Sequence, residues 1–185
     1  MNIPNFLSLL RIILVPVFVI FLIQAEYDKA LITFMVAGLT DALDGALARL
    51  LKCQTTLGAY LDPIADKLLL VTSFVTLAIF GLIPGWLAVI VISRDFIILL
   101  GIAILTLMSV AYEIKPAVVG KMTTALQIAT IFFALLYKAV THDFGYYWII
   151  GLCWTTALFT VISGLVYIIR GIRIVNKSIP EEAKK

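Results

Sequence analysis

Asp41, Asp44, Asp62 and Asp66 are the residues of this chain best suited to chemistry. The first pair is spaced i, i+3 and the second i, i+4. On a helix either spacing places both carboxylates on one face. Carboxylates brought together repel: two like charges about 4 Å apart cost on the order of 4 kcal/mol at an effective dielectric of about 20. Arg49 and Lys67 adjoin the motif, but two cations cannot neutralise four anions. Hard oxygen donors of this kind suit Mg, Mn or Ca, so a divalent-cation site is expected. Small residues surround the acids: Gly45, Ala46 and Ala48 in the first segment, Gly58 and Ala59 in the second. The missing side chain at Gly45, beside Asp44, lets a phosphate ester approach the helix backbone. Gly58 serves helix packing equally well, because small residues let membrane helices pack closely. The plain alternative is four unrelated polar residues near helix ends. It fares badly, because an Asp inside a membrane helix costs about 2.5–3.5 kcal/mol and usually marks function.

The elements that carry these acids follow from hydropathy. The 185 residues are 63% apolar and only 14% charged, with a mean hydropathy of +1.12. A soluble domain has roughly 45–50% apolar and about 25% charged residues. The excess apolar surface makes lipid the natural solvent. Charge-free runs, together with the turn-forming Gly81 and Pro84-Gly85, predict six helices. They are Phe6–Ile23, Lys29–Leu51, Thr56–Phe80, Pro84–Met108, Val118–Val140 and Tyr146–Ile174. Backbone in lipid must satisfy its own hydrogen bonds, so spans are helices or closed barrels. The segment lengths and the absence of alternation exclude a barrel. The expected class is therefore an all-α integral membrane protein with six transmembrane helices in one domain, residues 1–175. Residues 176–185 are expected to form a disordered cytoplasmic tail. No signal peptide is expected, since no basic region precedes the first apolar run.

Lys and Arg set the orientation. One side collects Arg11, Arg49, Lys52, Lys115, Lys121, Arg170, Arg173, Lys177, Lys184 and Lys185, and the other holds Lys29 and Lys138. Both termini and the aspartates are thus predicted at the cytoplasmic face of a cell membrane. The net charge of +3 gives no nucleic-acid signal. Cys53 and Cys153 lack metal-ligand spacing and read as apolar filler.

Written out, the segment is Asp41-Ala-Leu-Asp44-Gly45-Ala-Leu-Ala48-Arg49, eight residues, Gly58, three residues, Asp62, three residues, Asp66. It resembles the signature of the CDP-alcohol phosphatidyltransferase family, and every fixed position matches. The resemblance implies a six-helix membrane enzyme, usually a homodimer, that transfers a phosphatidyl group from CDP-diacylglycerol to an alcohol and releases CMP. It implies two divalent ions, Mg or Mn, held by Asp41, Asp44, Asp62 and Asp66. It makes Asp66 the general base as well. It places Asp41, Gly45, Ala48, Arg49 and Gly58 at the cytidine-diphosphate donor.

The N-terminal run Asn2-Ile-Pro4-Asn5-Phe-Leu-Ser8-Leu-Leu-Arg11 is similar to the opening of the phosphatidylglycerophosphate and cardiolipin synthases of that family. Leu61-Asp62-Pro63-Ile-Ala65-Asp66-Lys67 fits both groups. An anionic, glycerol-based acceptor is implied: glycerol 3-phosphate first, phosphatidylglycerol as the alternative. An anion needs cations, and Arg94, Lys115 and Lys121 are the candidates. Each has a plainer reading: Arg94 as the partner of Asp95, Lys121 and Lys115 as interfacial anchors. The phosphatidylglycerophosphate synthases typically show a second lysine after Gly-Lys, whereas this chain reads Gly120-Lys121-Met122-Thr123-Thr124.

Other classes use membrane aspartates too. Mg-dependent prenyltransferases space their acids differently. A cation transporter expects acids near mid-membrane beside helix breaks, whereas the breaks here, at Gly81 and Pro84-Gly85, lie on the opposite side from the acids. His142 and the tryptophans Trp86, Trp148 and Trp154 read as surface and aromatic-belt residues.

Overall fold

The computed structural model describes residues 3–51, 56–108, 118–140 and 146–178. These form α1 (Ile3–Ile23), α2 (Tyr27–Leu51), α3 (Thr56–Ile79), α4 (Gly85–Leu107), α5 (Val118–Ala139) and α6 (Tyr146–Ser178). The six predicted segments are all found as helices. α1 starts three residues before the expected Phe6, and α6 runs to Ser178, past the expected boundary at Ile174. Nothing in Ile174-Val175-Asn176-Lys177-Ser178 breaks a helix, and the next proline is Pro180. Arg173 and Lys177 also suit the negative end of the helix dipole. Residues 179–185, most of the expected tail, lie outside the described residues.

Two helix ends are closed by the same hydrogen-bond pattern. After α3, Gly81 takes φ 69, its N–H bonds Ala78 O at 3.1 Å, and Leu82 N–H bonds Leu77 O at 2.9 Å. This is a Schellman cap, which calls for a left-handed residue, and Pro84 then opens α4 as its N-cap. The hairpin expected at Gly81 and Pro84-Gly85 is therefore present. α1 ends in the same way with Ala25 at φ 56. Ala25 N–H bonds Leu22 O at 3.1 Å and Glu26 N–H bonds Phe21 O at 2.9 Å.

The short connections make successive helices α1, α2 and α3, α4 antiparallel. α1 packs on α2 and α3, α5 on α2, α3 and α6, and α4 on α3 and α6. The core runs through all six: Phe18 and Leu22, Phe34 and Ala37, Phe74 and Leu77, Leu87 and Val91, Ile131 and Leu135, Cys153 and Ala157. Cys153 is a buried free thiol, as the filler reading expects, and Cys53 lies outside the described residues. The Trp86 and Trp154 rings meet, tilted, with centroids 4.8 Å apart, which fixes α4 and α6 as parallel neighbours, since Arg94 further along meets Ser163. The α5–α6 seam is polar: Thr130 and Thr156 hydroxyls bond at 2.8 Å, and Thr123 donates to Phe159 O at 3.1 Å. Hydroxyl pairs of this sort join helices where the hydrophobic effect cannot.

The outer surface is apolar. Ile13, Ile20, Val89, Leu99, Leu165 and Ile169 are all exposed. Among the described residues, four helices are long and apolar enough to cross a membrane: Phe6–Ile23, Gly85–Leu107, Val118–Ala139 and Tyr147–Asn176. The chain is a membrane protein.

Candidate active site

The site begins on α1. Ser8, Arg11, Phe18 and Leu22 are buried along one stripe of this helix, at the i, i+3 and i+7 spacings of an inward face. Arg11 is fully buried. Its Nη1 lies 2.8 Å from Asp41 Oδ1 on α2 and also contacts Asp66 Oδ1 on α3. Asp41 and Asp66, 25 residues apart in the chain, therefore meet at one nitrogen. Their carboxylates are about half exposed, 46% and 45%, so they face outward while the arginine backs them from the interior.

Asp41 on α2 and Asp66 on α3 are brought together through α1, which packs against both helices. Asp44, Gly45, Ala48 and Arg49 continue along α2, and Gly58 and Asp62 precede Asp66 on α3. Their side chains lie outside the described residues. The oxygens of both carboxylates converge on Arg11 Nη1, and among the described residues no group of three or more acids, histidines or cysteines gathers to hold a metal. The donors are hard oxygens, so the residues present fit Mg or Mn.

A second ionic cluster adjoins the first. Lys67 follows Asp66, and its Nζ lies 2.5 Å from Asp95 Oδ2 on α4. Asp95 Oδ1 accepts from Arg94 Nη1 at 2.7 Å, and Arg94 Nη2 donates to Ser163 Oγ on α6 at 3.0 Å. The Arg94 guanidinium sits 5.7 Å from the Tyr167 ring centroid, within range of a cation–π contact. Asp95 and Arg94 are both buried. The plainer reading of Arg94 as Asp95's partner is what the structure contains. Among the described residues its two terminal nitrogens are taken up by Asp95 and Ser163, which leaves it poorly placed as a free acceptor cation. Gly120 reaches the same cluster: a Cβ there would lie 3.1 Å from Tyr167 Oη and 3.5 Å from Arg94 Nη2. The next residue, Lys121, is exposed in the first turn of α5, and Lys115 lies outside the described residues. Beyond Tyr167 a cavity of about 580 Å³ opens between α4 and α6, lined chiefly by apolar side chains such as Ile98, Leu105 and Ile168, with Arg170 and Arg173 among them.

Sequence reasoning missed Arg11 as a partner of the aspartates and Lys67 as a partner of Asp95. The signal for Arg11 was present: a charge on the inward stripe of α1 that also carries Ser8, Phe18 and Leu22. Lys67 and Asp95 meet only because α3 and α4 form a hairpin. Asp95→Ala is expected to lower unfolding free energy by about 3–5 kcal/mol, since it strands buried Arg94 without its counter-charge. Denaturant unfolding in detergent measures this, and a loss under about 0.5 kcal/mol contradicts it.

Comparison with known proteins bears on what these residues serve. The chain is 32% identical over 182 residues to the CDP-diacylglycerol–glycerol-3-phosphate 3-phosphatidyltransferase of Bacillus subtilis (strain 168), covering 90% of this chain and 93% of that one. It is 33% identical over 180 residues to a probable phosphatidylglycerophosphate synthase of Mycobacterium tuberculosis (strain ATCC 25618 / H37Rv), covering 93% and 82%. It is 34% identical over 146 residues to the cardiolipin synthase (CMP-forming) of Homo sapiens, covering 70% and 48%. The family model of the CDP-alcohol phosphatidyltransferases matches residues 1–170. With that match spanning all six helices up to Arg170, and with the aspartate signature inside it, the chain belongs to the CDP-alcohol phosphatidyltransferase family.

Proposed function

We propose that this enzyme transfers the phosphatidyl group of CDP-diacylglycerol to glycerol 3-phosphate, giving phosphatidylglycerophosphate and CMP. The observation that carries the chemistry is the meeting of Asp41 and Asp66, from separate helices, at Arg11 Nη1. The acceptor follows the names of the Bacillus subtilis and Mycobacterium tuberculosis relatives.

Asp41, Asp44, Asp62 and Asp66 would hold two divalent ions, Mg or Mn. When bound, such ions offset pyrophosphate charge and stabilise the departing CMP. Gly45, Ala48, Arg49 and Gly58 line the donor's cytidine-diphosphate side. The acceptor hydroxyl attacks the phosphorus that bears diacylglycerol, the bond from that phosphorus to CMP breaks, and Asp66 takes the hydroxyl proton as general base. Half-exposed carboxylates backed by a buried arginine support this, because the open side admits both substrates. Lys115 and Lys121 supply charge for the acceptor, and Arg94 is paired with Asp95. All six helices span the cell membrane of a prokaryote, with both termini and the site toward the cytoplasm. The Lys and Arg asymmetry supports that orientation, and the family resemblance supports a homodimer.

A second reading, cardiolipin synthesis with phosphatidylglycerol as acceptor, is favoured by two features. Arg94 spends its charge on Asp95, and a phosphodiester acceptor needs fewer cations than a phosphate monoester. The cavity between α4 and α6 also offers apolar room for an acyl chain next to Tyr167. One assay separates the readings. Purified protein with CDP-diacylglycerol is offered glycerol 3-phosphate, phosphatidylglycerol, inositol phosphate or serine. Glycerol 3-phosphate is expected to yield lipid product at least tenfold faster than the others. Preference for phosphatidylglycerol supports the second reading, and turnover with neither glycerol compound refutes both.

A further inference from the structure

We propose that Arg11 is a built-in counter-cation, a positioning residue that holds Asp41 and Asp66 together from the interior. The inference deepens the metal-site reading above and rests on it for one arm of its test.

Three observations carry it. First, a fully buried guanidinium is costly unless it is paired, and Arg11 is 0% exposed. Its position on the stripe shared with Ser8, Phe18 and Leu22 commits it to the interior whatever occupies the site. Second, a single nitrogen, Nη1, serves both carboxylates. One atom therefore ties α2 to α3 where short-range repulsion between the two acids pushes them apart. Third, the carboxylates are half exposed while the arginine is not. The link comes from behind, so a cation or phosphate approaching from outside meets the acids without displacing it. Arg11 acts through the Asp41 and Asp66 carboxylates that it contacts. It sets the spacing of two groups that do the chemistry, as outer hydrogen-bond partners orient metal ligands.

The test is thermal unfolding of the purified full chain in detergent, in chelator and again with Mg or Mn chloride alone. In chelator, Arg11→Met is expected to unfold several degrees below wild type. Metal is expected to recover most of that loss, so that it raises the variant's midpoint at least twice as far as it raises wild type's. Arg11→Lys, which keeps a cationic nitrogen, is expected to restore the wild-type response. No loss at all overturns the proposal, and so does an equal loss with and without metal where Mg or Mn raises the wild-type midpoint.

Should Arg11→Met prove too unstable to purify, the same comparison is made in an Asp41→Asn background. There one of the repelling charges is gone. The Arg11→Met/Asp41→Asn protein is expected to unfold in chelator within a degree or two of Asp41→Asn alone. A double variant that also fails to fold overturns the proposal. The two readings fail differently. If only the metal reading is wrong, Mg and Mn shift no variant while the Asp41→Asn rescue persists. If Arg11 is not a counter-cation, the rescue is absent.

Discussion

Asp66→Asn is expected to lower turnover by about 10²–10⁴-fold, the usual contribution of a positioned general base, while leaving the donor bound. Asparagine keeps the size of the side chain and an oxygen that accepts from Arg11, so the α1–α3 link survives. It loses the negative charge and with it the capacity to take a proton from the acceptor hydroxyl. The measurement is CMP release in a single turnover beside equilibrium binding of CDP-diacylglycerol. Slow release with retained binding is the expected pair of results. Wild-type release removes Asp66 from the proton transfer. Loss of binding together with release reassigns it to holding the donor.

The role of Asp66 also shows why parts of the site could be read early and parts could not. The i, i+3 and i, i+4 spacings of the four aspartates are local, and so is the helix periodicity that puts them on one face. Gly81 and Pro84-Gly85 are local signals too, and the α3–α4 turn forms where they stand, with Gly81 in the left-handed conformation. Ala25 gave no such signal, although it closes α1 with the same geometry at φ 56. Helix ends depend on capping bonds that a hydropathy run does not register, hence the extra residues at Ile3 and beyond Ile174.

In sequence Arg11 counts only toward the basic side, because a basic residue near a predicted helix end fits orientation as well as burial. Only the company of Ser8, Phe18 and Leu22 on the same stripe separates the two. Arg94 and Asp95 are adjacent in sequence, and adjacent helical residues do not face each other. Their pairing depends on the long arginine side chain and on α6 supplying Ser163. Lys67 reaches Asp95 across the hairpin. Contacts of this tertiary kind leave no trace in spacing.

The account stands or falls on a cation at the aspartates. The donor brings a pyrophosphate to carboxylates that already repel one another. One uncompensated like-charge contact at about 4 Å costs on the order of 4 kcal/mol at an effective dielectric of about 20, and each 1.36 kcal/mol is tenfold in rate. Arg11 offsets a single charge and sits behind the acids, so it cannot neutralise the donor as well. Removing divalent metal is therefore expected to cost at least about 10³-fold in turnover, with recovery on adding Mg or Mn. The direct measurement is CMP release from CDP-diacylglycerol and acceptor by purified protein, in excess chelator and after metal is returned. The account predicts near-zero release in chelator and full recovery with Mg or Mn. Undiminished release in excess chelator contradicts it.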